Sequence, residues 1–175
     1  MSPDTYKLSW APGPNILYHR PGNRNFYILD PDIGFEAPLV QNDKVGWMFD
    51  PVYSPKGREI AAAWNRPPKM GIYIIPLEGS VPSEQRSRQL SVGMQGPIGW
   101  SSDGKQIYAV EFGKDTIFAI LVENGDPRTI VTLQLPADRT LSDAAITSDG
   151  RRVAYVVSES QSDVWMIENF DPEVQ

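Results

Sequence analysis

The chain has 175 residues, of which 41% are hydrophobic and 22% charged, and its formal net charge is −6 at pH 7. This size and composition are typical of one globular domain with its own core. The acidic balance and the scattered lysines and arginines exclude a partner held through its phosphate backbone, so we expect no nucleic-acid ligand. The absence of cysteine excludes disulfides, thiolate metal sites and cysteine nucleophiles within the chain.

Two features bear on membranes and compartment. Residues 1–7 lack the apolar stretch of a signal peptide. The longest purely apolar run, residues 117–122, is far too short for a membrane span. We therefore expect no membrane insertion, and the sequence leaves the cytoplasm and the periplasm open as compartments.

Four similar units follow one another along the chain. Each begins with a bulky lead residue that precedes a tight turn and an apolar strand, and these lead residues are Trp10, Tyr53, Trp100 and Ile146. Their spacings are 43, 47 and 46 positions. Seven positions after each lead, the second strand opens with Leu17, Ile60, Ile107 and Val153. A third column, in the next strand, is Tyr27, Tyr73, Phe118 and Trp165. A period in the forties with strand-like units is typical of the blades of a β-propeller.

The predicted elements of a unit are strand, tight turn, strand, looser turn, strand and, in the first three units, a fourth strand. Gly57, Gly104 and Gly150 stand in the tight turns, because glycine accepts the positive φ of such a hairpin. The first unit departs from this pattern, since Pro14 takes the place of glycine, and we expect a different turn there through Gly13. We predict one domain over residues 1–175, with blades at about 1–46, 47–95, 96–140 and 141–175. The bulky columns are expected to fill the wedges between neighbouring sheets.

The turn segments resemble the WD40-like repeat called PD40, known from TolB and from the propellers of prolyl-oligopeptidase-type enzymes. The resemblance is carried by residues 53–58, 100–105 and 147–151, and it covers nearly the whole chain. It implies an all-β fold, a β-propeller of about four PD40-like four-stranded blades. The ending, residues 162–170, is similar to the C-termini of bacterial signalling proteins in which such a propeller follows a kinase or a winged-helix domain.

The resemblance implies rings of six to eight blades, whereas this chain supplies about four. Three arrangements are open: a piece of a longer propeller, two copies that join as a homodimer into an eight-bladed ring, or a ring that the chain closes alone with its N-terminal segment. The sequence favours self-association, because a lone partial ring exposes a sheet edge and an uncovered blade face.

No catalytic set stands out among the polar residues. His19 is the only histidine, and Ser54 and Ser101 are expected to bond local backbone groups in their turns. Asp50 and Asp143 each stand three residues before a lead residue, on the strand that lines the central channel, and Lys7 has that place in the first unit. We identify Lys7, Asp50 and Asp143 as candidate ligand-binding residues at the channel mouth, and we expect no metal and no cofactor.

The sequence thus favours a non-catalytic binding module with a protein or peptide partner, as the C-terminal sensor or scaffold part of a TolB-like bacterial signalling protein. The alternative is the substrate-gating propeller of a prolyl-oligopeptidase-type hydrolase, which requires a separate hydrolase domain. A propeller lyase or glycosidase needs convergent carboxylates or histidines, and only Asp50 and Asp143 begin such a set.

Overall fold

A computed structural model describes residues 8–10, 13–19, 25–40, 46–66, 70–78, 81–111 and 113–159. Within these ranges the regular structure is β-strand, apart from one short 3₁₀ helix at Glu84–Arg86. The strands form four separate antiparallel sheets that follow one another along the chain. The structure therefore confirms the predicted all-β fold class.

The first and third sheets are four-stranded meanders in which each strand pairs with the next. The strands of the first are β1 (Leu8–Trp10), β2 (Ile16–His19), β3 (Phe26–Asp30) and β4 (Phe35–Pro38). The second sheet contains β5 (Met48–Tyr53), β6 (Glu59–Trp64) and β7 (Gly71–Glu78), with β8 (Val81–Pro82) and β9 (Arg88–Gln89) both paired to β7. The strands of the third are β10 (Gln95–Trp100), β11 (Gln106–Glu111), β12 (Thr116–Leu121) and β13 (Pro127–Thr132). The described part of the fourth is β14 (Arg139–Ile146) and β15 (Val153–Glu159).

The sheets are arranged side by side through their first strands. Strand β1 lies next to β5, β5 next to β10, and β10 next to β14. Each of these strands is the innermost of its sheet, so the four sheets radiate from a common axis as propeller blades do. The description of residues 1–175 as one domain with the stated blade limits stays a prediction, because the ends of the first and fourth units lie outside the described residues.

The core consists of layers between neighbouring sheets. Cβ atoms alternate across a strand, so a sheet covered on both faces is apolar at every position. The second sheet shows this directly. One face packs on the first sheet through Ile60, Ala62, Trp64, Tyr73 and Ile75. The other face packs on the third sheet through Ala61, Ile72 and Ile74.

The tight turns after the lead residues have one construction in the last three units. Gly57, Gly104 and Gly150 have φ of 65°, 74° and 70°, which confirms the predicted positive φ. A hydroxyl oxygen at the start of each turn accepts a backbone N–H from a residue at or just before the start of the following strand. These bonds are Glu59 to Ser54 at 3.1 Å, Gln106 to Ser101 at 2.9 Å, and Arg152 to Thr147 at 3.1 Å. The serines therefore serve the turns, as the sequence predicts.

An aspartate strengthens two of these turns. The Ser101 hydroxyl donates to the Asp103 carboxylate at 2.7 Å, and the backbone N–H of Lys105 donates to it at 3.0 Å. These bonds stabilise the charged form and lower the pKa of Asp103 below its ordinary value. The Thr147 hydroxyl and then the Arg151 N–H lower the pKa of Asp149 in the same way. Lys56 holds this position in the second unit, so that turn lacks the carboxylate.

These lowered pKa values predict an acid-sensitive contribution to stability. The unfolded chain has the ordinary aspartate pKa, near 3.8, and takes up protons first as the pH falls. The contribution is therefore present above about pH 4 and is lost as the pH falls through the lower pKa of the folded state. In urea unfolding between pH 6 and pH 3, the Asp103→Asn/Asp149→Asn variant is expected to lose less stability than the wild type. Parallel pH profiles for the two proteins would contradict this assignment.

The first sheet differs by one residue in its tight turn. Trp10 pairs with Ile16, whereas Tyr53 pairs with Ile60 and Trp100 with Ile107. Gly13, with φ of 135°, takes part in this different turn, as predicted. Because one residue of slip moves a side chain to the other face, Ile16 rather than Leu17 is the counterpart of Ile60. The placement of Leu17 in the second column is therefore wrong, and Leu17 packs toward the second sheet.

Candidate functional site at the propeller axis

A β-bulge interrupts three of the innermost strands at similar positions. The pairing register shifts between Phe49 and Val52 in β5, between Pro97 and Gly99 in β10, and between Leu141 and Asp143 in β14. A bulge bends its strand, increases the local twist and re-aims a side chain. The strands nearest the axis are thus locally irregular at the level where the sequence placed the candidate binding residues.

Two of the three predicted site residues lie at these bulges. Asp50 is half-buried and has a positive φ of 50°, which is uncommon for a residue with a side chain. Asp143 is also half-buried, and its carboxylate accepts the N–H of Ala144 at 2.8 Å. Strands β5 and β14 lie on either side of β10, so the two aspartates belong to innermost strands that are separated by one blade. Lys7 lies outside the described residues, and a binding role for all three stays a prediction.

Sequence reasoning missed a group of exposed apolar residues in the loops that lead into β5 and β10. We call Trp47, Val92 and Met94 the apical patch; their side chains are 40%, 59% and 58% exposed. Each of these loops is hydrogen-bonded to one end of the β6–β7 connection: the Asn65 N–H donates to the Trp47 carbonyl at 2.8 Å, and the Gly93 N–H donates to the Met70 carbonyl at 3.0 Å.

The apical patch lies where the innermost strands β5 and β10 begin, and Asp50 is near it along the chain. Asp50 lies three residues after Trp47, and the strands that begin beside the patch are innermost ones. Trp47 and Met94 each precede the lead residue of their unit by six positions. This shared repeat position is the sequence signal that could have identified the patch.

The side chain of Arg66, just after β6, contacts an aromatic ring and a carboxylate. The Arg66 guanidinium lies 4.7 Å from the centre of the Trp64 ring and 4.0 Å from a Glu84 carboxylate oxygen. Trp64 is buried, and its ring meets the Tyr73 ring edge to face at 5.3 Å. The half-buried Arg66 side chain therefore packs on the ring of a core residue at this end of the second sheet.

The acidic side chains of the described residues do not gather into a metal-binding cluster. Among these residues, no three His, Cys, Asp or Glu side chains come together in a way that could hold a metal ion. Burial raises the pKa of Tyr53 to about 12, so this phenol stays protonated at neutral pH and is unsuited to act as a base. The Tyr53 hydroxyl is enclosed and has no hydrogen-bond partner in the described structure. Tyr53 is thus a wedge between sheets rather than a reactive group.

No described helix has the length and apolar character needed to cross a membrane.

Radiating antiparallel sheets with innermost strands side by side define a β-propeller, and solved structures agree. TolB from Acinetobacter baumannii matches with a TM-score of 0.61 and 18% identity over 89% of this chain and 43% of TolB. The β-propeller domain of Cps50 (Swd1) from Myceliophteria thermophila matches with a TM-score of 0.58 and 13% identity, over 85% of this chain and 49% of that one. A structure from a study of two prolyl endopeptidases matches with a TM-score of 0.54 and 14% identity, over 89% of this chain and 26% of the other.

The chain therefore has a WD40-like propeller fold of the TolB type, as the turn motifs predicted. It matches no protein-family model, and no curated protein sequence matches it either. The chain spans less than half the length of the three solved chains described above. At these identities the likeness shows the fold alone.

Proposed function

We propose that the chain is a non-catalytic propeller module that binds a protein partner through an extended segment carrying apolar and basic side chains. The observation that supports this is the apical patch, three exposed apolar side chains in the loops that lead into two innermost strands, one of which carries Asp50. Exposed apolar side chains grouped at one surface mark interaction sites more often than scattered ones do. Tryptophan is frequent among the residues that dominate binding energy, and methionine adapts its shape to varied partners.

The charge of the partner segment follows from the aspartates. Two half-buried carboxylates near the axis favour a lysine or arginine, and the net charge of −6 favours the approach of a basic segment. The apolar side chains of that segment would lie on Trp47, Val92 and Met94.

The biological setting that we propose is a bacterial signalling protein in which this propeller is the sensor or scaffold part. The structural likeness to TolB and the resemblance of residues 162–170 to the ends of such proteins support it. The second candidate is the substrate-gating propeller of a prolyl-oligopeptidase-type hydrolase, since the prolyl endopeptidase structure contains a part with the same fold. That role needs a hydrolase domain encoded with this chain, and measurable peptide hydrolysis by the whole protein would support it over the binding role.

The proposed binding can be tested with labelled ten-residue peptides of three kinds: apolar and basic, apolar and acidic, and polar and basic. Fluorescence anisotropy with the purified chain is expected to detect the apolar and basic peptides alone. The Trp47→Ala/Met94→Ala variant should weaken binding at least tenfold, because it removes the apolar contacts. The Asp50→Asn/Asp143→Asn variant should weaken binding and reduce its salt dependence, and asparagine suits the positive φ at position 50.

Matched controls lie away from the axis. Ile33 in the β3–β4 turn is 76% exposed, and Glu123 lies in the exposed β12–β13 turn. Ile33→Ala and Glu123→Gln should bind the peptides as the wild type does. Equal binding of acidic peptides, or wild-type affinity in both site variants, would overturn the proposed function.

A further inference from the structure

The first sheet presents a partly uncovered face at one end of the stack. The residue that pairs with the lead residue is Ile16 in the first sheet and Ile60 in the second sheet. Counted from these two positions, the residues Ile16, Tyr18, Tyr27 and Leu29 of the first sheet correspond to Ile60, Ala62, Tyr73 and Ile75 of the second sheet. Those second-sheet residues are buried against the first sheet, with exposures between 0% and 8%. Their counterparts in the first sheet are only half-buried. We call these four first-sheet residues the leading face.

The fourth sheet presents a second uncovered face at the other end. Val153 packs toward the third sheet, so the alternating Ala154 and Val156 point the opposite way. Their counterparts in β6 are Ala61 and Ala63, which are completely buried, whereas Val156 is 58% exposed. We call Ala154 and Val156 the trailing face.

The side chains of the two faces complement each other in size, as do the side chains between the second and third sheets. Between the second and third sheets, the small Ala61 lies in one cluster with the large Trp100 and Phe118. The trailing face offers small residues at the corresponding places, and the leading face offers an aromatic pair, Tyr18 and Tyr27, with ring centres 5.8 Å apart. Bulky side chains opposite small ones are what fills a wedge without voids.

We propose that the trailing face of one chain packs on the leading face of a second copy, and that two copies close one ring head to tail. A second copy is the proposed occupant because the match spans 49% of the Cps50 propeller domain, so two copies together have about the length of that propeller. A single head-to-tail contact between two identical chains leaves the leading face of one chain and the trailing face of the other uncovered. Closing the ring covers both of these faces. The inference does not depend on the peptide site.

Ring closure also completes the set of innermost strands around the axis. In one copy, Asp50 and Asp143 come from innermost strands that flank β10 on one part of the axis. In the closed ring the second copy supplies its own two innermost aspartates to the same channel. The site around the axis is therefore shared between copies, and its carboxylates come from both.

Sedimentation equilibrium of the purified chain tests the closure. The expected species has twice the 19.5 kDa mass of the monomer. Val156→Arg places a charge on the trailing face and is expected to weaken dimerisation at least tenfold while the circular dichroism spectrum stays unchanged. Ile33→Arg, an equal change at an exposed turn, should dimerise as the wild type does. A monomer at every concentration, an open-ended series of larger species, or a dimer that Val156→Arg leaves intact would overturn the proposal.

A crosslinking experiment tests the head-to-tail orientation. The chain has no cysteine of its own, so an introduced cysteine is the only thiol that a maleimide can react with. Mixed chains carrying Tyr27→Cys and Ala154→Cys should join through a short bismaleimide crosslinker. Chains that all carry Ala154→Cys should not, because the trailing faces of two copies lie apart in the ring. Efficient crosslinking between two Ala154→Cys chains would show a symmetric contact instead and would overturn the head-to-tail closure.

Discussion

Replacing Trp100 with alanine is expected to lower the free energy of unfolding by about 3–5 kcal/mol, the cost typical of removing a buried tryptophan. The indole is 5% exposed and belongs to the cluster between the second and third sheets. Its Nε1–H donates to the Val52 carbonyl on the neighbouring innermost strand at 3.1 Å. The side chain thus joins two sheets by packing and by a hydrogen bond. Urea unfolding followed by tryptophan fluorescence and by circular dichroism measures the loss.

Two variants separate packing from hydrogen bonding. Trp100→Phe keeps an aromatic ring but leaves the Val52 carbonyl without its donor, so the expected loss is about 1–3 kcal/mol. Tyr53→Phe removes an enclosed hydroxyl for which the described structure shows no partner, so stability should stay equal or rise slightly. Equal losses for Trp100→Ala and Trp100→Phe would show that the hydrogen bond dominates. A loss below 1 kcal/mol for Trp100→Ala would refute the wedge role of the lead residues.

The sequence predicted the blades because each unit repeats the same local physics. Glycines with positive φ and hydroxyls that accept a strand N–H define the tight turns, and both are readable as residue types at fixed spacing. The bulky columns were predictable for the same reason, since a sheet covered on both faces requires large apolar residues at the wedge. Tyr73 and Phe118 are buried between sheets, as this reasoning required.

The first blade shows what spacing alone does not reveal. Pro14 correctly indicated a different turn, yet the alignment of the units by spacing treated Leu17 as the equivalent of Ile60. Strand pairing depends on the number of residues in the turn, and the turn after Trp10 is one residue shorter than the turn after Tyr53. A shift of one residue leaves the apolar pattern of a strand intact while reversing its faces, so the sequence contained no contradiction that could reveal it.

The candidate site was predictable only in part. Asp50 and Asp143 followed from their repeat position, because a residue on an innermost strand lies near the axis whatever its chemistry. Their bulges were not predicted, since a bulge is a feature of pairing between two strands. Trp47 and Met94 lie in loops outside the bulky columns, and recognition is located in such loops rather than in the repeated scaffold.

Replacing Gly125 with alanine is expected to lower the free energy of unfolding by about 2–5 kcal/mol. Gly125 turns the chain between β12 and β13 with φ of 80°, a conformation that costs an alanine about 1–2 kcal/mol. A Cβ atom there would also lie 2.3 Å from the carbonyl oxygen of Leu90, the residue that follows β9 of the second sheet. Because that oxygen belongs to the backbone, the two sheets must separate locally, and overpacking of this kind costs about 1–3 kcal/mol more.

Gly34 provides the matched control. It lies in the corresponding turn of the first sheet, between β3 and β4, with φ of 67°, and a Cβ added there meets no atom within 4 Å. Gly34→Ala should therefore show the backbone cost alone, about 1–2 kcal/mol. The difference between the two variants in urea unfolding isolates the contact between the second and third sheets. Equal losses would mean that the β12–β13 turn does not press on the second sheet, and the close junction between these blades would then be wrong.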